Sequence, residues 1–229
     1  MARVLIGYSC CPLTRKAFEA QGHEAWTCDL LPSRDNALSH HQCDVWEAIE
    51  NRGPWDFAVM HPMCTYLTCS AAWAFTDGPY HQKVKPGTLV GEARREARRE
   101  ALENFRRLLA LPFPVAIENP ATSFVNKAIR KPDQIIQPYQ FGDDASKATG
   151  FWLSEGVPIL RTKAFRDQAM GRMVEWPKGS GRAVLRWANQ TDSGQNRLSP
   201  GENRWLERSA TYPGIAAAMG EQWGKWLNQ

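Results

Sequence analysis

The chain has 229 residues, 43% of them hydrophobic, and a formal net charge of +4. That size and apolar content suit one α/β domain with a modest insertion. No run approaches the roughly 20 apolar residues that cross a bilayer, so no membrane partner is expected, and the mild positive charge falls far short of a dedicated nucleic-acid arm.

The first residues enter an apolar stretch, Val4-Leu5-Ile6, with no signal-peptide pattern, which predicts a cytoplasmic protein. All six cysteines, Cys10, Cys11, Cys28, Cys43, Cys64 and Cys69, lie within the first 69 residues, unlike a disulfide framework spread over a secreted domain. Reduced thiols are the expectation. Cys28, Cys43, His40 and His41 form a conceivable zinc set, but without a CxxC pair buried strand cysteines are the simpler reading, and no metal is expected. Most of the ten tryptophans should lie in or near the core.

In chain order, residues 4–8 read as a strand, 9–12 as a turn, 13–20 as a helix ending near Gly22, and 25–28 as a second strand. This is a βαβ opening. Asp29 closes the second strand, where doubly wound folds place an acid for a ribose hydroxyl, although a turn aspartate fits the same position. Asp44 suits the N-cap of a short helix, and 55–60 reads as a buried strand ending at His61-Pro62. Residues 70–90 carry Gly78-Pro79, Pro86-Gly87, Trp73, Phe75, Tyr80, Lys83 and Lys85, and are expected to form a long mobile loop acting as a lid.

Residues 91–111 give the clearest helical pattern, with Ala93, Ala97, Ala101, Phe105 and Leu109 as its core face. Its six arginines, interleaved with Glu92, Glu96, Glu100 and Glu103, read as a solvated, ion-paired face and not as a DNA-binding one. A strand at 115–117 ends at Glu118-Asn119-Pro120, a helix is expected at 123–130, and strands follow near 134–138 and 150–153. Residues 154–199 have little periodicity and read as an irregular insertion. Residues 215–227 are helical.

Two strand ends bear on chemistry together. Cys64 lies four residues beyond the strand at 55–60, and Glu118 directly follows the strand at 115–117. In an open α/β sheet both reach the carboxyl edge, where ligands bind. A thiol and a carboxyl sharing that edge suit addition to a pyrimidine: the thiolate attacks C6, the acid protonates or hydrogen-bonds N3, and C5 becomes a carbon nucleophile. A buried carboxylate with no task would be costly to desolvate.

HPMCTYLT (61–68) resembles the Pro-Cys motif of cytosine-5 methyltransferases, and IENP (117–120) resembles their Glu-Asn motif, in matching order. GHEAWTCDLLP, WDFAVMHPMCTYL, IIQPYQFGDDASKATGFWL and TYPGIAAAMGEQWG further resemble a phage-encoded group labelled DNA cytosine methyltransferase. The resemblance spans 4–160 and resumes near 199. It implies a Rossmann-like S-adenosylmethionine-dependent methyltransferase fold, a mostly parallel twisted sheet with helices on both faces, in the host-cell cytoplasm. It implies Cys64 as nucleophile, Glu118 as acid, Asn119 as a brace for the loop, and 65–90 as a catalytic loop closing over the base. It also implies that Asp29 and Asp44 hold the ribose and adenine of the cofactor, in a site completed by Gly7, Tyr8, Ser9, Leu30 and Pro62.

The departures are informative. Tyr8-Ser9-Cys10-Cys11-Pro12 replaces a Phe-x-Gly-x-Gly turn, and Met63 stands where a second proline is common. Gln137-Pro138-Tyr139-Gln140-Phe141-Gly142 replaces a Gln-x-Arg-x-Arg element, with Lys147 expected in place of one arginine. Residues 141–147 fit an ordinary turn as well as a substrate contact. Only 154–199 could serve as a target recognition domain, so the partner is DNA read with minimal sequence specificity or a free pyrimidine nucleotide, with Lys147 and Arg204 as phosphate ligands. A catalytically idle binder of nucleic acid, nucleotide or protein is the remaining reading.

Overall fold

The computed structural model describes residues 1–81, 83–162, 170–198, 207 and 209–229. Its centre is a seven-stranded sheet in the order β3-β2-β1-β4-β5-β7-β6, built from β1 (Arg3–Gly7), β2 (Glu24–Asp29), β3 (His40–Gln42), β4 (Phe57–Met60), β5 (Val115–Pro120), β6 (Gln134–Ile136) and β7 (Thr149–Leu153). The β1–β2, β1–β4, β2–β3 and β4–β5 pairs are parallel, and β7 runs antiparallel to both β5 and β6. The chain winds outward from β1 in one direction and from β4 in the other. The carboxyl ends of those two strands therefore flank the crevice where such sheets bind ligands. The mixed α/β class and the mostly parallel, Rossmann-like sheet agree with the sequence reading.

Alternation along the strands divides the core. Val4, Ile6, Phe57, Val59, Ala116 and Phe151 pack on α1 (Leu13–Glu19) and on the C-terminal helix α5 (Pro213–Leu227), through Phe18, Ile215, Met219 and Trp223. Leu5, Cys28, Ala58, Met60, Val115, Ile117 and Trp152 face the other way, onto α2 (Val45–Asn51) and α3 (Gly91–Leu109), through Val45, Ala48, Phe105 and Leu108. Asp44 caps α2 as expected, its side chain accepting from Trp46 N at 2.8 Å. Pro213 starts α5, where a missing N–H costs nothing. Among the described residues no helix is long and apolar enough to cross a membrane.

Four expectations need correction. The fifth strand does not stop at Ile117: pairing with β7 places Glu118 opposite Phe151 and Asn119 opposite Gly150, so both site residues lie inside β5. The segment after Cys69 is not loop throughout, because Cys69–Phe75 forms a 3₁₀ segment kinked at Ala71, with Ala74 and Phe75 buried. The expected core face of α3 holds only in its second half, where Phe105 is buried with Ala101 and Leu109 packed against the same core. Ala93 is exposed while Arg94 is buried, because the first half of the helix lies on aromatic side chains and not on the sheet. Arg94 lies over the rings of Tyr66 and Phe75, and Arg98 over Phe75 and Phe124. Of the remaining four, Arg95, Arg99 and Arg106 form the expected ion-paired face, while Arg107 lies over the Trp46 ring. The expected helix at 123–130 shrinks to the single turn α4 (Val125–Ala128).

The described residues of the 154–199 stretch are largely irregular but contain a two-stranded antiparallel hairpin, β8 (Arg172–Glu175) and β9 (Ala183–Arg186). Residues 141–147 tie this stretch and α5 to the sheet: Asp143 accepts from Gly214 N at 3.0 Å, and Asp144 accepts from Gly171 N and Ala188 N.

Candidate active site

The register of β4 and β5 builds the site. Met60 pairs with Ile117, so the next residues, His61 and Glu118, are neighbours at the carboxyl edge. Both point toward the face covered by α5, and His61 Nδ1 lies 3.1 Å from Glu118 Oε2. They share a small pocket of about 20 Å³ with Lys147, Thr149 and Tyr212, closed from the α5 side by Ile215 and Met219. Burial by itself would raise the Glu118 carboxyl. The Lys147 charge, followed by the hydrogen bond and charge of His61, outweighs it and holds the group at about 2. Glu118 is thus ionised at neutral pH, and His61 donates from Nδ1 to it, since a carboxylate only accepts.

Asn119 points through the opposite face of β5. Its Nδ2 donates to Pro62 O at 3.0 Å, which fastens the first turn of the Cys64 loop to the strand that carries Glu118. Cys64 is exposed, and its carbonyl accepts from Leu67 N and Thr68 N, so it opens a tight turn. Leu67 O in turn accepts from Phe124 N and from the Ser123 hydroxyl. Arg94 holds the same loop by donating to Thr65 O at 3.0 Å. Cys64 thus opens a turn four residues beyond β4, on the edge of the sheet where Glu118 lies on the neighbouring β5. Glu118 lines the pocket and Cys64 does not.

The expected cofactor residues gather at the carboxyl ends of β1 and β2 and at the start of α2. His61 N donates to Gly7 O at 3.0 Å and Ser9 N to Cys28 O at 2.9 Å, which seals the turn to its neighbours. Gly7 sits in tight packing, since a Cβ there would press on Met60 Sδ and come within 2.8 Å of Val45 Cγ2. Tyr8 adopts φ +57, the left-handed conformation that glycine would supply in such a turn. Its ring is drawn away toward α3, where its hydroxyl donates to Asn104 Oδ1 at 3.1 Å, and burial pushes its pKa up to about 12. Asp29 Oδ1 accepts from Leu31 N and Asp44 Oδ1 from Trp46 N. One oxygen of each acid thus serves its local turn, and among the described residues the other has no protein donor. Leu30 is exposed beside them.

The sequence reading found Glu118, Asn119 and Lys147 at this edge but missed His61, Thr149 and Tyr212. His61 was legible in principle, as the first residue beyond a buried strand and the immediate neighbour of Pro62. Arg204 lies outside the described residues. Cys28 and Cys43 approach to 3.9 Å, yet His40 bonds Thr27 and Leu31 O while His41 stacks on Trp26, so the four do not converge.

Compared with protein-family models and with curated proteins, the chain gives no match.

Proposed function

We propose that the chain is a Rossmann-like methyltransferase that moves a methyl group from S-adenosylmethionine to C5 of cytosine in DNA, through a Cys64 adduct assisted by Glu118. The observation that carries this reading is the Asn119–Pro62 clasp, which holds the Cys64 turn against the strand bearing Glu118, whose pocket Lys147 also lines. The sheet order and its single reversed strand support the methyltransferase-type variant of the fold. Cys64 attacks C6 of the ring, the electron pair of the C5–C6 double bond is drawn toward N3, and Glu118 meets N3 with a proton. Lys147 stabilises Glu118 between turnovers. Tyr8 supplies a glycine-like turn, and Asp29 and Asp44 keep acceptor oxygens, which suits them to hold the ribose and adenine of the cofactor. The cofactor, when bound, supplies the methyl group.

A second reading, a C5-modifying enzyme acting on a free pyrimidine nucleotide, draws on the insertion. Its only regular structure among the described residues is the β8–β9 hairpin, a small element for reading bases in a groove. The idle-binder reading rests on the non-glycine turn at Tyr8. Incubation with methyl-labelled S-adenosylmethionine, mixed DNA and a panel of pyrimidine nucleotides separates the three. Label in DNA supports the first reading and label in a nucleotide the second. No label, together with absent cofactor binding by calorimetry, leaves the third.

A further inference from the structure

The site poses a proton problem. Attack at C6 requires a proton at N3, yet Glu118 stands ionised beside Lys147 and His61. His61 carries the means to supply that proton. Its side chain is 10% exposed, its Nδ1 faces Glu118 Oε2 at 3.1 Å, and its Nε2 is fully buried with no hydrogen-bond partner among the described residues. A buried imidazole nitrogen left unpaired is costly, and this one belongs to a ring on the pocket wall, where a ligand or a proton can satisfy it.

We infer that His61 is the proton relay of Glu118, a positioning residue that loads the carboxyl with the proton it gives to the pyrimidine. The inference rests on the cytosine reading of the site. As the Cys64 thiol becomes thiolate, it releases its proton to solvent, and His61 Nε2 takes one from water admitted with the substrate to the pocket that the ring lines. The Nδ1 proton crosses the 3.1 Å bond to Glu118 Oε2. When the S–C6 bond forms, the electron pair of the C5–C6 double bond shifts so that C4–C5 becomes double and N3 gains a lone pair. N3 then takes the proton from Glu118. One proton has moved from sulfur to N3. Glu118 is again ionised, and His61 is neutral with its proton on Nε2 until elimination of the adduct returns the N3 proton through Glu118 to Nδ1 and Nε2 gives its proton back to water, restoring the starting tautomer. The other charged or titratable groups at the pocket are Lys147, which holds the carboxylate before and after, and Tyr212, whose hydroxyl accepts from Asn189.

The test uses the whole chain and two probes labelled with deuterium at cytosine C5, dCMP and a single-stranded oligonucleotide. Loss of deuterium requires the Cys64 adduct and N3 protonation but no methyl donor. In His61→Asn the side-chain N–H keeps a donor toward Glu118 but cannot pass a proton on. The relay predicts wild-type ligand affinity for this variant and exchange slowed about 100-fold, the usual scale of a general acid–base contribution. Exchange within about threefold of wild type would overturn it, because His61 would then only hold Glu118 in place. Nitrogen-15 NMR of the wild-type histidines does not depend on the variant folding. A proton on Nδ1 of His61 is expected, and a bare Nδ1 with the proton on Nε2 overturns the relay. Absence of exchange by the wild type on both probes would overturn the cytosine reading instead, and the ring-nitrogen signals then decide the His61–Glu118 pairing separately.

Discussion

His61 and Glu118 occupy successive register positions at the ends of two adjacent parallel strands, and their side chains meet at 3.1 Å on the face covered by α5. The pair makes the stability of the fold depend on pH in a defined direction. Glu118 titrates near 4.5 when unperturbed and at about 2 in the folded chain. Because the folded value is the lower one, the ionised carboxylate stabilises the fold above about pH 4.5. That contribution disappears as pH falls toward 2, and a shift of this size corresponds to about 3 kcal/mol. Urea denaturation at pH 6, 4 and 3 should show wild type losing more stability on acidification than Glu118→Gln. Equal losses would remove Glu118 as the cause.

Asn119→Ala should weaken the joint between the Cys64 turn and β5. The substitution leaves Pro62 O buried without its donor, which costs about 1–3 kcal/mol. Chemical denaturation measures the loss, and a change below about 0.5 kcal/mol would show that the clasp contributes little.

Arg94→Lys tests whether the arginine ties the loop to α3. The guanidinium donates to both Leu89 O and Thr65 O and lies over two aromatic rings, a combination that a lysine ammonium does not reproduce. Tryptic cleavage after Lys83 should accelerate several-fold at native pH, Lys85 being shielded by the proline that follows it. An unchanged cleavage rate would place the restraint elsewhere.

Gly220→Ala should separate α5 from α1. A Cβ at this position would press on Ala17 O and meet Ala17 C at 2.5 Å, backbone atoms that have no rotamer to escape into. Overpacking of this kind costs about 1–3 kcal/mol, read as a lowered Tm. A Tm equal to wild type would mean that the helices do not pack this closely.

Much of the frame was legible because it follows local rules. Asp44 caps α2 as a side-chain acceptor at that position should, and the apolar strands lie near their expected places. Glu118 and Asn119 were legible as chemistry but not as strand, because the pairing that extends β5 comes from β7, about thirty residues later. Arg94 was misread as solvated because charge patterning along a helix says nothing about aromatic rings arriving from another segment. His61 was read only as the end of a strand. Its significance appears once β4 and β5 lie side by side and α5 closes over them, a relation between segments separated by 57 and about 150 positions.

The central claim is that Cys64 and Glu118 act together on cytosine C5, and product analysis tests it most directly. Purified protein is incubated with S-adenosylmethionine carrying a deuterated methyl group and with unmethylated DNA, and the DNA is digested to nucleosides for mass spectrometry. The account predicts deuterated 5-methyldeoxycytidine from the wild type and none from Cys64→Ser or Glu118→Gln, both variants remaining folded by circular dichroism. Labelled product from Cys64→Ser at the wild-type rate, or no methylated pyrimidine from the wild type with DNA or nucleotides, would contradict it.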